Sequence, residues 1–243
     1  MRRFHHFRYQ EAAFAVATSK LAAVRDTVKK IRRELEAYIT EFPEFRDTLI
    51  PQVQLKGNPP EAAIRMHAAS QLVGVGPMAA VAGTVAQLAV EAAVAAGCRD
   101  TIVNNGGDIF MHLDREAFIG IYGGGHALAD RVAFHITPED TPLALCSSSS
   151  KMGHSLSFGD CDLATVCASD GALADAAATL AANLSRDTAS ASAAAERIAA
   201  IPGVQGVLIL VGEAVISAGE MPALVSCSQD AVRTQVVRHP ESC

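Results

Sequence analysis

Tryptophan is absent, and the three aromatic types together make up only 5% of the 243 residues. Stacking platforms for unpaired bases need aromatic rings, so their scarcity argues against single-stranded nucleic-acid binding. A formal net charge of -6 argues the same way, because a phosphate backbone needs a basic face. Lys and Arg do gather at Arg25, Lys29, Lys30, Arg32 and Arg33, but they lie mostly off an apolar helical stripe and read as a solvated face. No nucleic-acid partner is expected. The six cysteines (Cys98, Cys146, Cys161, Cys167, Cys227 and Cys243) form no C-x-x-C pair, which argues against a structural zinc site and for reduced thiols. Met1 to His6 lacks the apolar run of a signal peptide, so a cytoplasmic protein is expected. Gln71 to Val90 carries no formal charge and is about membrane-spanning length. Its glycines, Pro77, Thr84 and Gln87 would insert weakly, and the segment reads as a buried loop followed by a core helix; no membrane partner is expected. Neither a fixed-period repeat nor a linker-like tract appears, which predicts one domain over residues 1–243.

Half of the residues are hydrophobic and 19% are charged, enough for a large core. Much of that apolar content is alanine, which lets helices lie close on a sheet. Phe4 to Thr18 reads as two short strands. A long helix follows, capped by Ser19, with apolar residues at Leu21, Val24, Val28, Ile31, Leu35, Tyr38 and Phe42, and Pro43 ends it. Thr48 to Pro60 reads as loop. Helices are expected from Glu61 to about Ser70, Met78 to Ala96, Ala172 to Leu184 and Thr188 to Ile201. Strands are expected at Thr101–Asn104, Phe118–Tyr122, Val132–Ile136, Leu143–Ser147, Leu163–Ala168, Val204–Val211, Ala214–Ser217 and Ala231–Val237. Without strict βαβ alternation, the fold class is α+β or loosely α/β, in layers.

Three segments place short polar residues among small ones. Asn104-Asn105-Gly106-Gly107-Asp108 follows a strand, where two glycines let backbone approach a ligand or simply make a tight turn. Val73-Gly74-Val75-Gly76-Pro77-Met78-Ala79 matches G-x-G-x-x-A literally and leads into a helix start, where free amides suit a phosphate. A dinucleotide fold would want an apolar strand before it, and the preceding residues make a poor one. In Ala174-Asp175-Ala176-Ala177-Ala178-Thr179, Asp175 and Thr179 are one helical turn apart on one face, a hard-oxygen pair suited to Mg²⁺. They could equally serve the helix itself. His154, in Lys151-Met152-Gly153-His154-Ser155, could move protons, and the serine run containing Ser148 and Ser149 could meet an anion.

In this order the segments resemble the ApbE superfamily, known for Mg²⁺-dependent flavin transferases, over about Gly74 to Leu184. The chain is more similar still to a shorter branch, uncharacterised protein family 0280, in which N-G-G-D-I and a G-H-S-like segment recur. The resemblance implies a layered, T-fold-like arrangement of mixed sheets with packed helices. It implies that Asp175 and Thr179 bind the metal, assisted by a carbonyl around Ala79 or Ala80. With such a metal site, the turns at Gly74, Gly76, Asn104, Asn105, Gly106, Gly107 and Asp108 and the serines Ser148 and Ser149 are the expected lining of a cofactor site for FAD or FMN, and His154 is the candidate catalytic residue, for proton transfer. The sequence departs from the transferases at Ala82, where they carry Lys before Gly83, and at Ser147 to Gly159, which holds one His in place of a His-His-Ile stretch.

Three functions are compatible with these features. One is Mg²⁺-dependent binding of a flavin or another phosphate-bearing small molecule by a transferase-like enzyme. Another is a role in anaerobic sulfur assimilation into homocysteine, to which some relatives of the branch are linked; this would want a reactive thiol among Cys146, Cys161 and Cys167. The third is a non-catalytic binding or assembly subunit with a degenerate site. A homodimer is compatible with all three.

Overall fold

The computed structural model describes residues 2–51, 54–121, 131–150 and 159–226. His154, Cys227, Cys243 and the strand expected at Ala231–Val237 lie outside them.

The chain opens with β1 (His5–Tyr9) and β2 (Ala12–Ala17), the two strands expected there. Helix α1 (Leu21–Glu41) follows, and the three-and-four spacing of its sequence has a direct outcome: Val24, Val28, Ile31, Leu35 and Tyr38 are its buried residues. Each such side chain contributes about 1.5–3 kcal/mol on leaving water. Ser19 does not cap it; Lys20 occupies the cap position without a side-chain bond. After Pro43 comes a single turn, α2 (Glu44–Asp47), which seats Phe45 edge-on against Tyr38 at 5.3 Å.

Helix α3 (Glu61–Val73) ends on Gly74. A 3₁₀ turn (Pro77–Ala80) then leads into α4 (Val81–Ala95). Pro77–Ala95 is long and apolar enough to cross a membrane, yet half of its most apolar stretch is buried within the protein. The helix packs on the sheet and against α1 and α5, with Val85, Ala86, Ala89, Val90 and Ala93 fully enclosed. The rest of the chain supplies β3 (Thr101–Asn105), β4 (Asp108–His112), β5 (Ala117–Gly120), β6 (Val132–Ile136), β7 (Leu143–Ser148), β8 (Leu163–Ala168), α5 (Gly171–Leu184), α6 (Thr188–Ala199), β9 (Val204–Val211), β10 (Ala214–Gly219) and β11 (Ala223–Ser226).

Eight strands form one sheet in the order β1-β2-β3-β4-β7-β8-β9-β10, and β11-β6-β5 form a smaller one. Every described pairing is antiparallel, so the fold is α+β. The large sheet repeats one plan twice. Two strands, a helical excursion and two more strands make β1 to β4, and the same plan makes β7 to β10. No period in the sequence signals this.

Alternation along the strands sorts the core into two parts. Val103, Phe110, Cys146, Val166 and Ile209 face the helices. Ile102, Ile109, Met111, Leu145 and Leu210 face the small sheet. The result is three layers, with the central strands of the large sheet buried on both sides. Such strands read as continuous apolar runs rather than alternating ones.

Candidate functional site

The β3–β4 hairpin turns on Gly106 and Gly107, with φ of +70° and +115°. A two-residue turn with positive φ at both positions matches the sheet's twist and strongly favours glycine. Asn104 secures it, its Oδ1 accepting from the Gly107 amide at 2.9 Å. The turn therefore explains Asn104, Gly106 and Gly107 and leaves Asp108 for other work.

Asn105 and Asp108 sit opposite each other across the hairpin. Ile109 faces Leu145 in the next pairing, which brings Asp108 beside Cys146 on the helix-facing side of the sheet. Asp108 Oδ1 accepts from the Ser147 amide at 3.2 Å. Asn105, Asp108 and Cys146 thus form a row across three strands. Asn105 reaches up to the helices, donating to the Ala82 carbonyl at 3.2 Å.

Above this row α4 and α5 cross at two glycines. A Cβ on Gly83 would lie 2.1 Å from the Gly171 carbonyl oxygen, and one on Gly171 would lie 2.5 Å from that of Gly83. This contact lets Asp175, one turn into α5, meet the start of α4. Its Oδ2 accepts from the Gly83 amide at 2.8 Å, so Asp175 caps a helix other than its own. Thr179 is the next residue on that face and is half-buried. Thr84 of α4 returns its hydroxyl to the Ala80 carbonyl at 2.6 Å, the usual habit of a helical threonine. The Thr179 hydroxyl makes no such bond among the described residues.

Asp108 and Asp175 are each less than a tenth exposed. Burial drives the Asp108 carboxyl up to about 7, against hydrogen bonds from the Ser147 amide and the Cys146 thiol. Burial also raises Asp175 well above the ordinary carboxyl range, and the charge of Asp108 adds to it; the amides of Gly83 and Ala82 oppose the rise. The Cys146 thiol is pushed up by burial and then by both carboxylates. Among the described residues, no basic side chain is among the groups acting on either Asp. Two adjacent buried carboxyls with no cationic partner among the described residues are suited to sharing protons or to holding a cation.

The oxygens available fit a hard divalent ion: two carboxylates, a hydroxyl and backbone carbonyls. Among the described residues no cluster of three or more His, Cys, Asp or Glu side chains could hold a metal. Coordination would need the hydroxyl, a carbonyl, water or ligand oxygens, which suits Mg²⁺ better than zinc.

The remaining expected residues have other placements. Gly74 is the left-handed C-cap of α3, with φ of +85° and nothing within 4 Å of a built Cβ. Gly76 is packed against the loop before it, its built Cβ 2.1 Å from the Thr48 carbonyl oxygen. The glycines thus follow a helix, where a dinucleotide fold has a strand, and the Gly83 amide is already taken by Asp175. Ser148 and Ser149 lie at the end of β7, half-buried and buried. His154 is outside the described residues. Cys146, Cys161 and Cys167 are buried, and burial raises the thiols of Cys146 and of Cys167, the latter to about 12, which makes both poor nucleophiles at neutral pH. Cys146 is not legible in the sequence as a neighbour of this site, because strand register puts it there.

A family model described as "AbpE bacteria" matches residues 3–233. A UPF0280 protein of Methanocella arvoryzae is 42% identical over 205 residues, covering 84% of this chain and 83% of that one. The chain belongs to the UPF0280 branch of the ApbE-like proteins. A second member of the branch, the UPF0280 protein of Archaeoglobus fulgidus, is 40% identical over 92% of this chain and 94% of its own. Among solved structures, the apo flavinyl transferase ApbE of Pseudomonas stutzeri superposes with a TM-score of 0.58 at 12% identity, covering 95% of this chain and 96% of that one. The ApbE protein of Thermotoga maritima gives 0.54 at 11%, with 89% and 96% covered. At such identities the likeness is one of fold.

Proposed function

We propose that this ApbE-like protein binds a phosphate-bearing small molecule, a flavin nucleotide foremost, with Mg²⁺ as the bridging ion, and that it acts as a transferase-like enzyme. The observation that carries the reading is the pair of buried carboxyls, Asp108 from the sheet and Asp175 from α5, with the Thr179 hydroxyl, which makes no hydrogen bond among the described residues, one turn along α5 from Asp175. The flavin-transferase names of its structural neighbours support the choice of flavin over other phosphate-bearing ligands.

In this reading Asp175 and Thr179 hold the ion from one face of α5. One oxygen of Asp175 stays with the Gly83 amide, so the other serves the metal. Asp108 completes the negative lining, and Asn105 keeps the Ala82 carbonyl, and with it the start of α4, over the sheet. When bound, Mg²⁺ neutralises phosphate charge and fixes its position. His154 is the candidate for proton transfer, and Ser148 and Ser149 for lining.

Calorimetry with FAD and FMN, with and without Mg²⁺, tests this on the wild type and on Asp175→Asn. Asn keeps an oxygen for the Gly83 amide but removes the charge. Metal-dependent flavin binding that disappears in the variant supports the reading. Equal binding in both, or flavin binding indifferent to Mg²⁺, overturns it.

A further inference from the structure

Gln87 is a polar residue in the middle of the largely apolar helix α4, and it is 9% exposed. Its Oε1 accepts from the Gly171 amide, at the first residue of α5, at 2.7 Å. Asp170 already caps α5 locally by accepting from the Leu173 amide at 2.9 Å. The Gly171 amide is a separate orphan donor of the first turn, and a side chain from another helix satisfies it.

Together with the Asp175–Gly83 bond this closes a ring. Residues 83 and 87 are one turn apart on α4, and 171 and 175 are one turn apart on α5. Gly83 donates to Asp175 at 2.8 Å and Gly171 donates to Gln87 at 2.7 Å, so two antiparallel turns are clamped at both ends. The glycine contact between them leaves no slack for tilt. A slip of one residue along α5 is about 1.5 Å, more than a metal site tolerates.

We infer that Gln87 is a positioning residue: it sets the register of α5 on α4 and through it the location of the Asp175 carboxylate, without touching the ligand. This rests on the metal reading above. A neutral acceptor is also the right kind, because a third carboxylate beside Asp108 and Asp175 would add to their repulsion.

Binding of Mn²⁺ to the full chain, followed by electron paramagnetic resonance, separates the possibilities. Gln87→Met removes the acceptor at similar volume, and Gln87→Asn withdraws it by one methylene should the first variant not fold. Either is expected to weaken Mn²⁺ binding about tenfold, the lower range for loss of an outer-shell partner, and to change the line shape of the bound ion. A folded Met or Asn variant with wild-type affinity and line shape overturns the inference while leaving the metal reading intact. Wild-type protein that binds no Mn²⁺ overturns the metal reading, and the inference with it.

Discussion

Asp108 and Asp175 bury two carboxyls, one from the middle sheet and one from the helical layer, close enough that the charge of the first raises the second. In the unfolded chain both would titrate near 3.9. In the folded chain Asp108 is raised to about 7 and Asp175 well above its usual range. The folded state therefore holds protons that the unfolded state releases. Their contribution to stability is fully present below about pH 4 and is lost as pH rises through about 7.

The metal-free protein should accordingly lose stability between mildly acid and mildly alkaline pH, by about 1.4 kcal/mol per pH unit for each proton released. Saturating Mg²⁺ should remove most of that slope, because the ion binds the ionised pair. Urea midpoints across this range, with and without Mg²⁺, measure it. A slope that Mg²⁺ does not alter would count against the pair as a cation site.

Asp108→Asn separates charge from hydrogen bonding. Asn can still accept from the Ser147 amide, so the hairpin should keep its place beside β7. The buried charge is gone, so the metal-free variant should be more stable than wild type above about pH 7, where wild type pays for ionisation. Divalent-ion affinity should fall at the same pH. Thermal unfolding with and without Mg²⁺ reads both effects at once.

Two glycines that look alike in sequence should respond differently to alanine. At Gly83 a Cβ would overlap the Gly171 carbonyl oxygen at 2.1 Å, so Gly83→Ala must push α4 and α5 apart and break the Asp175 cap. A loss of about 3 kcal/mol or more is expected, with loss of metal binding. At Gly74 nothing lies within 4 Å and the only cost is the left-handed conformation, φ +85°. Gly74→Ala should therefore cost only about 1–2 kcal/mol and leave metal binding intact. Denaturant midpoints and Mn²⁺ titrations of the two variants provide the contrast.

What could be read in advance follows from where the information sits. The stripe from Val24 to Tyr38 is local periodicity, and α1 forms as it predicts. Strand β4 cannot be told from its turn in the sequence, because Asp108–His112 is buried on both faces of the middle layer and shows no alternation. Helix α2 is one turn long, too short for any period to show. Asp175 and Thr179 were visible because helical spacing alone puts them on one face. That Asp108 belongs beside Asp175 depends on the β4–β7 register and on the Gly83–Gly171 crossing, relations between segments far apart in the chain. The same holds for Cys146 and Gln87, whose neighbours come from other elements.

The thiols give a last test, with an order that burial alone would not predict. All four described cysteines are buried. At Cys98 burial pushes the thiol up, but hydrogen bonds from Ser19, Thr101 and Thr18 outweigh it and bring the group down to about 7. Thr18 Oγ1 lies 3.4 Å from the sulfur and Thr101 Oγ1 3.5 Å. At Cys146 the neighbouring carboxylates work in the other direction, and at Cys167 burial holds the thiol near 12. Thiolate is the reactive form, so at neutral pH Cys98 should be alkylated before Cys146 and Cys167, whose labelling should wait for unfolding. Mass-spectrometric mapping of a timed iodoacetamide reaction on the native protein measures the order. Early labelling of Cys146 would mean that the volume it shares with Asp108 and Asp175 is open to solvent and its carboxyls ordinary, which would remove the physical basis for the raised pair.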